Sequence, residues 1–288
     1  MAKLVIGTGY LGFRVAQRWR EDNDPVFVTT RFAARADVLA DKGLRPIVAD
    51  VTDPVTLKDL PAVDTVLFSV GLDRKAGHSI DEVYVEGLAN VLDAISGRTK
   101  RFIYISSSGV YGQEDGSWVD ELSDCEPIRA GGRACLAAER GLAEHSLGRL
   151  SVILRLAGIY GPGRVPRRAD LILGQPIVAD GDGFLNLIHV EDAVSAVIAA
   201  GQIDDFPALY VVSDGSPVLR RHYFHEVARL MGIEDLRIET PPGDGTDSRR
   251  MRGDKRIDSS KLRRELGFSP HYPTFREGLA AIFASDAG

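Results

Sequence analysis

Cysteine is nearly absent from this chain of 288 residues; Cys125 and Cys135 are the two it contains. Two thiols cannot build a disulfide framework, so the sequence predicts a protein of the reducing cytoplasm. Long apolar runs are missing as well. No stretch approaches the ~18 apolar residues that suggest a membrane span, and the opening MAKLVIGTGYLG meets glycine before a signal-peptide core could form. Positive charge is not in excess either. Lys and Arg number 35 against 41 Asp and Glu, a net charge of −6 that lacks the footprint of a nucleic-acid binder. Internal repeats and low-complexity tracts are also absent. What remains is a chain long enough for one large core, or one core and a smaller lobe.

The first half alternates between two periods. Short runs rich in Val and Ile, at 3–7, 25–30, 44–49, 65–70, 101–106 and 150–156, predict strands buried on both faces. Between them, 11–21, 33–42, 79–96 and 132–147 carry helical spacing. Parallel strands need such crossover segments, so the alternation predicts an α/β fold with a doubly wound parallel sheet, the Rossmann arrangement. Residues 158–183 are rich in Gly and Pro and read as loops with a short helix; 186–201 reads as strand then helix, and 208–215 as one more strand. The expected division is a dinucleotide-binding domain, 1–157 plus 186–212, and a smaller substrate-binding C-terminal lobe, 158–185 plus 213–288. A final helix is expected near 274–285, and PPGDGTDSRRMRGDKR (241–256) reads as a solvated loop, with phosphate binding as the sharper alternative.

The residues LVIGTGYLG place Gly7, Gly9 and Gly12 as G-x-G-x-x-G between a strand and a helix. Such spacing serves a dinucleotide: the first glycine allows the tight turn, the second lets backbone approach a pyrophosphate, the third lets helix and strand pack closely. Tyr10 and Leu11 open the helix, whose free N–H groups face the phosphates. An NAD site usually carries an acid ~20 residues on, to accept from the ribose hydroxyls. Here the second strand ends in Thr29-Thr30-Arg31, with Arg35 a turn later and no acid. Hydroxyls and guanidinium suit a 2′-phosphate, so NADP is expected ahead of NAD, with an ordinary surface arginine as the plainer reading of Arg31. Asp50 and Val51 after the third strand, and Ser69 and Gly71 after the fourth, complete the expected cofactor contacts. Asp50 can accept from an adenine amino group, cap a turn, or do both.

These features, in order with VADVTD (48–53), EGLANVLDA (86–94), YISSSGVYG (104–112), LRLAGIYGPGR (154–164), NLIHVEDAV (186–194) and KLRRELGFSP (261–270), resemble the extended short-chain dehydrogenase/reductases. This is the NAD-dependent epimerase/dehydratase family, and the compact glycine loop is similar to its atypical branch. The resemblance spans nearly the whole chain. It implies carbonyl or alcohol chemistry run by a Ser/Thr, a Tyr, a Lys and an Asn, with the Tyr as proton donor and the Lys lowering its pKa. Matching the VYG segment puts the Ser/Thr on Ser107, and Ser108 and Gly109 lack the acidic pair of the dehydratases. Matching AAE puts the Tyr position on Gly131 and the Lys position on Cys135, and the Asn position falls on Tyr84. Three of the four catalytic groups are therefore missing. Cys135 reads as a small buried residue ahead of a nucleophile, and Tyr84, Tyr111 or Arg133 are the groups chemically able to substitute.

The remaining candidates are Gly131, Arg133, Arg164 and His189 for substrate. His189 serves equally to orient Asp192, and the Arg220–Arg221 pair reads first as surface. His222 and His225 lack a third ligand, so no metal is expected. No G-x-S-x-G elbow surrounds Ser107. Two functions fit: an NADP-dependent oxidoreductase or epimerase-like enzyme acting on a small polar or sugar-like molecule through a non-standard proton relay, or a non-catalytic NADP-binding regulatory protein. The expected partners are a small-molecule substrate and a second copy in a homodimer, with neither nucleic acid nor membrane.

Overall fold

Short Val- and Ile-rich runs separated by helical stretches fold as crossover units in the computed structural model, which describes residues 1–240 and 253–286. Most of the loop expected at 241–256 lies outside the described residues. Its last part is not loop: Asp254–Ile257 is a strand, paired in parallel with Glu114–Val119.

Five strands, Lys3–Ile6 (β1), Val26–Thr30 (β2), Arg45–Val48 (β3), Thr65–Phe68 (β4) and Arg101–Ser107 (β5), are joined by Ser151–Leu156 and Ala208–Val212. They form one seven-stranded parallel sheet in the order Ala208–Val212, Ser151–Leu156, β5, β4, β1, β2, β3. The doubly wound α/β architecture expected from the alternation is the one observed. Strand order reverses between β1 and β4, which both run parallel to their neighbours. Such a switch point opens a crevice beyond the carboxyl ends of the strands, where ligands of this fold class sit.

Helices Tyr10–Glu21 (α1), Ala33–Asp41 (α2), Gly87–Ile95 (α3) and Ala130–Glu144 (α4) flank the sheet. α1 buries Leu11, Gly12, Val15, Ala16 and Trp19, a stripe at helical spacing. A π-helical turn, Glu82–Glu86, leads into α3. Gly87 follows because a Cβ there would stand 2.7 Å from Val51 Cγ2. Leu4, Ile6, Val66, Phe68, Val91, Ile95, Phe102 and Leu142 form the core between sheet and helices.

Contacts divide the chain into two units. The first comprises Met1–Val110, Ala130–Arg155 and Val194–Tyr210; the second comprises Tyr111–Arg129, Leu156–Ala193 and the described residues from Val211 onward. The second unit has its own core of Tyr160, Tyr223, Phe224, Val227, Phe275 and Leu279. Gly278 is obligatory there, since a Cβ would collide with the Tyr160 hydroxyl. Gly158–Tyr160 pairs in parallel with Leu187–His189, and the carboxylate of Asp192 accepts from the backbone N–H of His271 at 2.6 Å and of Tyr272 at 3.0 Å. No described helix is long and apolar enough to cross a membrane.

Asp214 is the least comfortable group of that core. It is 1% exposed, its Oδ1 accepts from Ser216 N at 2.9 Å, and its Oδ2 has no partner among the described residues. Burial pushes its carboxyl up to about 7. The folded protein therefore holds a proton that the unfolded chain releases near pH 4. The contribution to stability is complete below about pH 4 and is lost as pH rises to about 7. Asp214→Asn should raise the urea midpoint relative to wild type at pH 7.5, and the gap should close by pH 4. A gap independent of pH would refute the assignment.

Candidate functional site

A cavity of about 390 Å³ opens where β1, β2 and β4 end, a size within the usual range for small-ligand pockets. Three glycines shape its floor for three different reasons. Gly7 has φ +91°, a left-handed turn that a side chain would strain. Gly9 has nothing within 4 Å of where a Cβ would be, so its backbone is open to a ligand. Gly12 is the reverse, because a Cβ would lie inside contact distance of the Gly7 carbonyl and of Ser69 Oγ. Ser69 Oγ donates to that same carbonyl at 2.8 Å, tying the exit of β4 to the turn. Thr29 Oγ1 accepts from Gly7 N at 3.1 Å, and Thr8 Oγ1 donates to the Thr29 carbonyl at 2.9 Å.

Gly7, Gly9, Thr30, Arg31, Arg35, Asp50, Val51, Ser69 and Gly71 all line the cavity; Tyr10, Leu11 and Gly12 form the first turn of α1 behind it. Arg35 Nη2 donates to the Thr8 carbonyl at 2.6 Å, and Thr30 Oγ1 accepts from Phe32 N at 3.4 Å. Arg31 is already engaged: its Nη2 meets Asp73 Oδ2 at 2.7 Å. Asp73 lies 42 residues away on the loop after β4, where no local pattern announces the pairing. Phe32, Ala76 and His78 line the same cavity and were equally invisible in sequence. Asp50 Oδ1 accepts from Thr52 N and Thr52 Oγ1, so it caps its turn, and Asn90 Nδ2 donates to the Val51 carbonyl at 2.9 Å.

Ser107, Gly131, Cys135 and Tyr84, the positions expected to match the family's catalytic groups, lie in the first unit. Ser107 is half-buried, and its Oγ accepts from Gly109 N at 3.0 Å, which leaves its own proton to donate. Gly131 and Cys135 fall on one side of α4. A Cβ at Gly131 would make an ordinary contact, 3.6 Å from Ile80 Cδ1. Cys135 is 5% exposed, with the side chains of Tyr104 and Ser106 nearby; burial, with the Glu139 carboxylate also close, pushes its thiol up to about 11. Burial also raises Tyr104 above the ordinary phenol value. One helical turn on, Glu139 receives Ser106 Oγ at 2.5 Å and Arg155 Nη2 at 2.6 Å, all three side chains being buried. This ion pair completes a polar seam beneath α4. Tyr84 is half-buried, and its hydroxyl accepts from Leu72 N at 3.3 Å, holding the loop that walls the cavity. Arg133 is exposed on α4.

In the second unit, Tyr111 is 2% exposed and its hydroxyl donates to the Asp120 carbonyl at 2.7 Å, so its proton is committed to backbone. His189 is also interior, packed between Tyr160 and Tyr272 at ring distances of 5.2 and 4.0 Å, with Nδ1 accepting from Glu191 N. Arg164 is exposed beside the Gly161–Arg164 bridge. Lys255 was overlooked in sequence. Its Nζ donates to the Tyr111 carbonyl at 2.8 Å, and burial, with Arg129 and Arg220 nearby, lowers it to about 8. His222 and His225 are exposed on one helix, and among the described residues no three potential ligands converge on a metal position.

Two outcomes test this geometry. Gly12→Ala should destabilise the fold by roughly 1–3 kcal/mol, the usual cost of overpacking, as read by urea unfolding. A neutral substitution would mean that the contact at Gly7 and Ser69 relaxes freely. At pH 8, a thiol moved from 9.0 to about 11 carries about a hundredfold less thiolate. Peptide-resolved alkylation of the native protein should therefore label Cys125 well before Cys135, and comparable labelling would contradict the buried seam.

A profile of the NAD dependent epimerase/dehydratase family matches residues 4–212. Protein YeeZ of Escherichia coli K12 is 30% identical over 276 residues, covering 93% of this chain and 95% of that protein. A conserved protein of unknown function from Silicibacter pomeroyi superposes with a TM-score of 0.81 at 25% identity, over 100% of this chain and 99% of that one. MoeE5, solved with UDP-glucose and NAD, superposes with a TM-score of 0.79 at 25% identity, over 100% and 99% of the two chains. The matched span takes in the glycine turn, the cavity beyond it and the serine that ends β5, and the chain belongs to the NAD dependent epimerase/dehydratase family.

Proposed function

We propose that this protein binds NADP in preference to NAD and acts as an oxidoreductase or epimerase-like enzyme on a small, polar, sugar-like molecule. The observation that carries the cofactor reading is the end of β2. Thr30, Arg31 and Arg35 line the cavity there, and that strand ends without the acid that would repel a 2′-phosphate. Gly7, Gly9 and the first turn of α1 would face the pyrophosphate, and Asp50 and Val51 the adenine. Nicotinamide, once bound, supplies the hydride. Ser107 would donate its proton to a substrate oxygen, since Gly109 N occupies one of its two lone pairs and leaves the proton itself available.

The substrate class draws on two supports. MoeE5, a relative by fold and at 25% identity, was solved with UDP-glucose. The cations Arg129, Arg220 and Lys255, neighbours within the second unit, suit a phosphorylated ligand. Arg164 and His189 belong to that same unit, while Gly131 and Arg133 belong to the first. Gly131 and Cys135 supply neither phenol nor ammonium, so the proton would come through Ser107, through Tyr84, whose hydroxyl accepts from Leu72 N and keeps its own proton, through water or from the substrate. That same deficit favours a second reading, a non-catalytic NADP-binding protein whose ligand state regulates a partner.

Calorimetric titration of wild type and Arg31→Ala with NADP and NAD tests the cofactor reading. Wild type should bind NADP more tightly, and the alanine variant should lose about 1.5 kcal/mol, or roughly tenfold, for NADP alone. Equal wild-type affinities would end the preference. NADPH turnover over a panel of sugar nucleotides, with Ser107→Ala as control, separates enzyme from regulator. Turnover abolished by the alanine supports catalysis through Ser107, and tight NADP binding without any turnover favours the regulatory reading.

A further inference from the structure

The loop after β4 brings a carboxylate to the cavity that the end of β2 lacks. Val70, Gly71, Leu72, Asp73, Ala76 and His78 of that loop line the cavity together with Arg31 and Arg35. Asp73 uses its two oxygens separately. Oδ1 accepts from Lys75 N at 3.0 Å inside the loop's own turn, which Ala76 N closes on the Asp73 carbonyl at 3.1 Å. Oδ2 takes Arg31 Nη2 at 2.7 Å. The turn thus orients the carboxylate whether or not Arg31 is engaged, and Arg31 finds a counter-ion waiting.

We infer that Asp73 is a specificity-determining residue, an internal counter-ion that competes with a ligand's 2′-phosphate for Arg31 and thereby sets how strongly NADP is preferred. The inference rests on the NADP reading above. The clasp is exchangeable because it is wet: side-chain exposures are 31% for Arg31 and 44% for Asp73. Exposed ion pairs are weak, so the competition amounts to about two- to fivefold in affinity and no more. A phosphate offers a full dianion and paired acceptors to the guanidinium, and it wins the exchange. A dinucleotide without that phosphate has nothing to exchange and leaves Arg31 on Asp73. Arg35 takes no part in the clasp, since its Nη2 is committed to the Thr8 carbonyl.

The test uses adenosine 2′,5′-bisphosphate, 5′-AMP, NADP and NAD as calorimetric probes of the full chain. Asp73→Asn keeps an acceptor for Lys75 N and removes the charge. Asp73→Ser keeps a turn acceptor and is too short to reach Arg31. Both should fold, as thermal unfolding will register. Both should bind the bisphosphate and NADP about two- to fivefold more tightly than wild type, with 5′-AMP and NAD unchanged. The gain should shrink at high salt and vanish in the Arg31→Ala background. Weaker NAD binding by the variants would overturn the inference, because Asp73 would then be accepting from ribose hydroxyls. Unchanged phosphate affinities in variants of a protein whose Arg31→Ala form does lose NADP would overturn the inference and leave the NADP reading standing. An Arg31→Ala form that binds the bisphosphate as well as wild type would remove both.

Discussion

The closeness of α1 to the end of β1 is the constraint on which the rest of the cavity depends. Helix and turn meet at Gly12, where even one carbon would invade the Gly7 carbonyl. The same carbonyl is held by Ser69 Oγ, so the exit of β4 is fastened to the turn of β1 across the switch point of the sheet. The loop Val70–His78 starts from that fastening, Tyr84 steadies it through Leu72, and Asp73 then reaches Arg31 just beyond β2. A missing side chain at one position thus fixes where a carboxylate stands at the far rim. Packing, rather than charge, places the charges.

A second constraint runs beneath α4. The stripe where the resemblance leads one to expect a tyrosine and a lysine reads Gly131, Cys135, Glu139. The glycine leaves an ordinary gap beside Ile80, and the cysteine is buried. Glu139 carries the polarity of the stripe, gripped by Arg155 from the neighbouring strand and by Ser106 from β5. Removing one partner of such a pair would leave the other charged and dry, commonly a cost of about 3–5 kcal/mol. The helix therefore keeps a polar underside, but one directed at the sheet.

Local patterns were legible from sequence wherever the physics is local. The strands of the main sheet, the glycine turn and the ends of β2 through β4 follow from period and spacing, because backbone geometry and burial act over a few residues. Pairings across the chain were not. Arg31 meets a residue 42 positions away, Lys255 meets the Tyr111 carbonyl 144 positions away, and nothing near either member marks its partner. Residues 254–256 looked like solvated loop because all three are charged, and only the strand Glu114–Val119 explains why they extend. Tyr111 and His189 were singled out for their chemistry, and both prove to be interior. Sequence shows what a side chain can do; its burial emerges only with the fold.

The burial of Cys135 also bears on engineering. A lysine at 135 would have to pass the Tyr104 and Ser106 hydroxyls and share a dry seam with Arg155, whose carboxylate partner is already engaged on two edges. At 131 an added Cβ would make only an ordinary contact, 3.6 Å from Ile80 Cδ1. Positions 131 and 135 thus differ in how readily they would accept a larger side chain. An ammonium at 135 would enter a buried seam in which Glu139 is already paired with Arg155 and Ser106, so it would require those three to be rebuilt together.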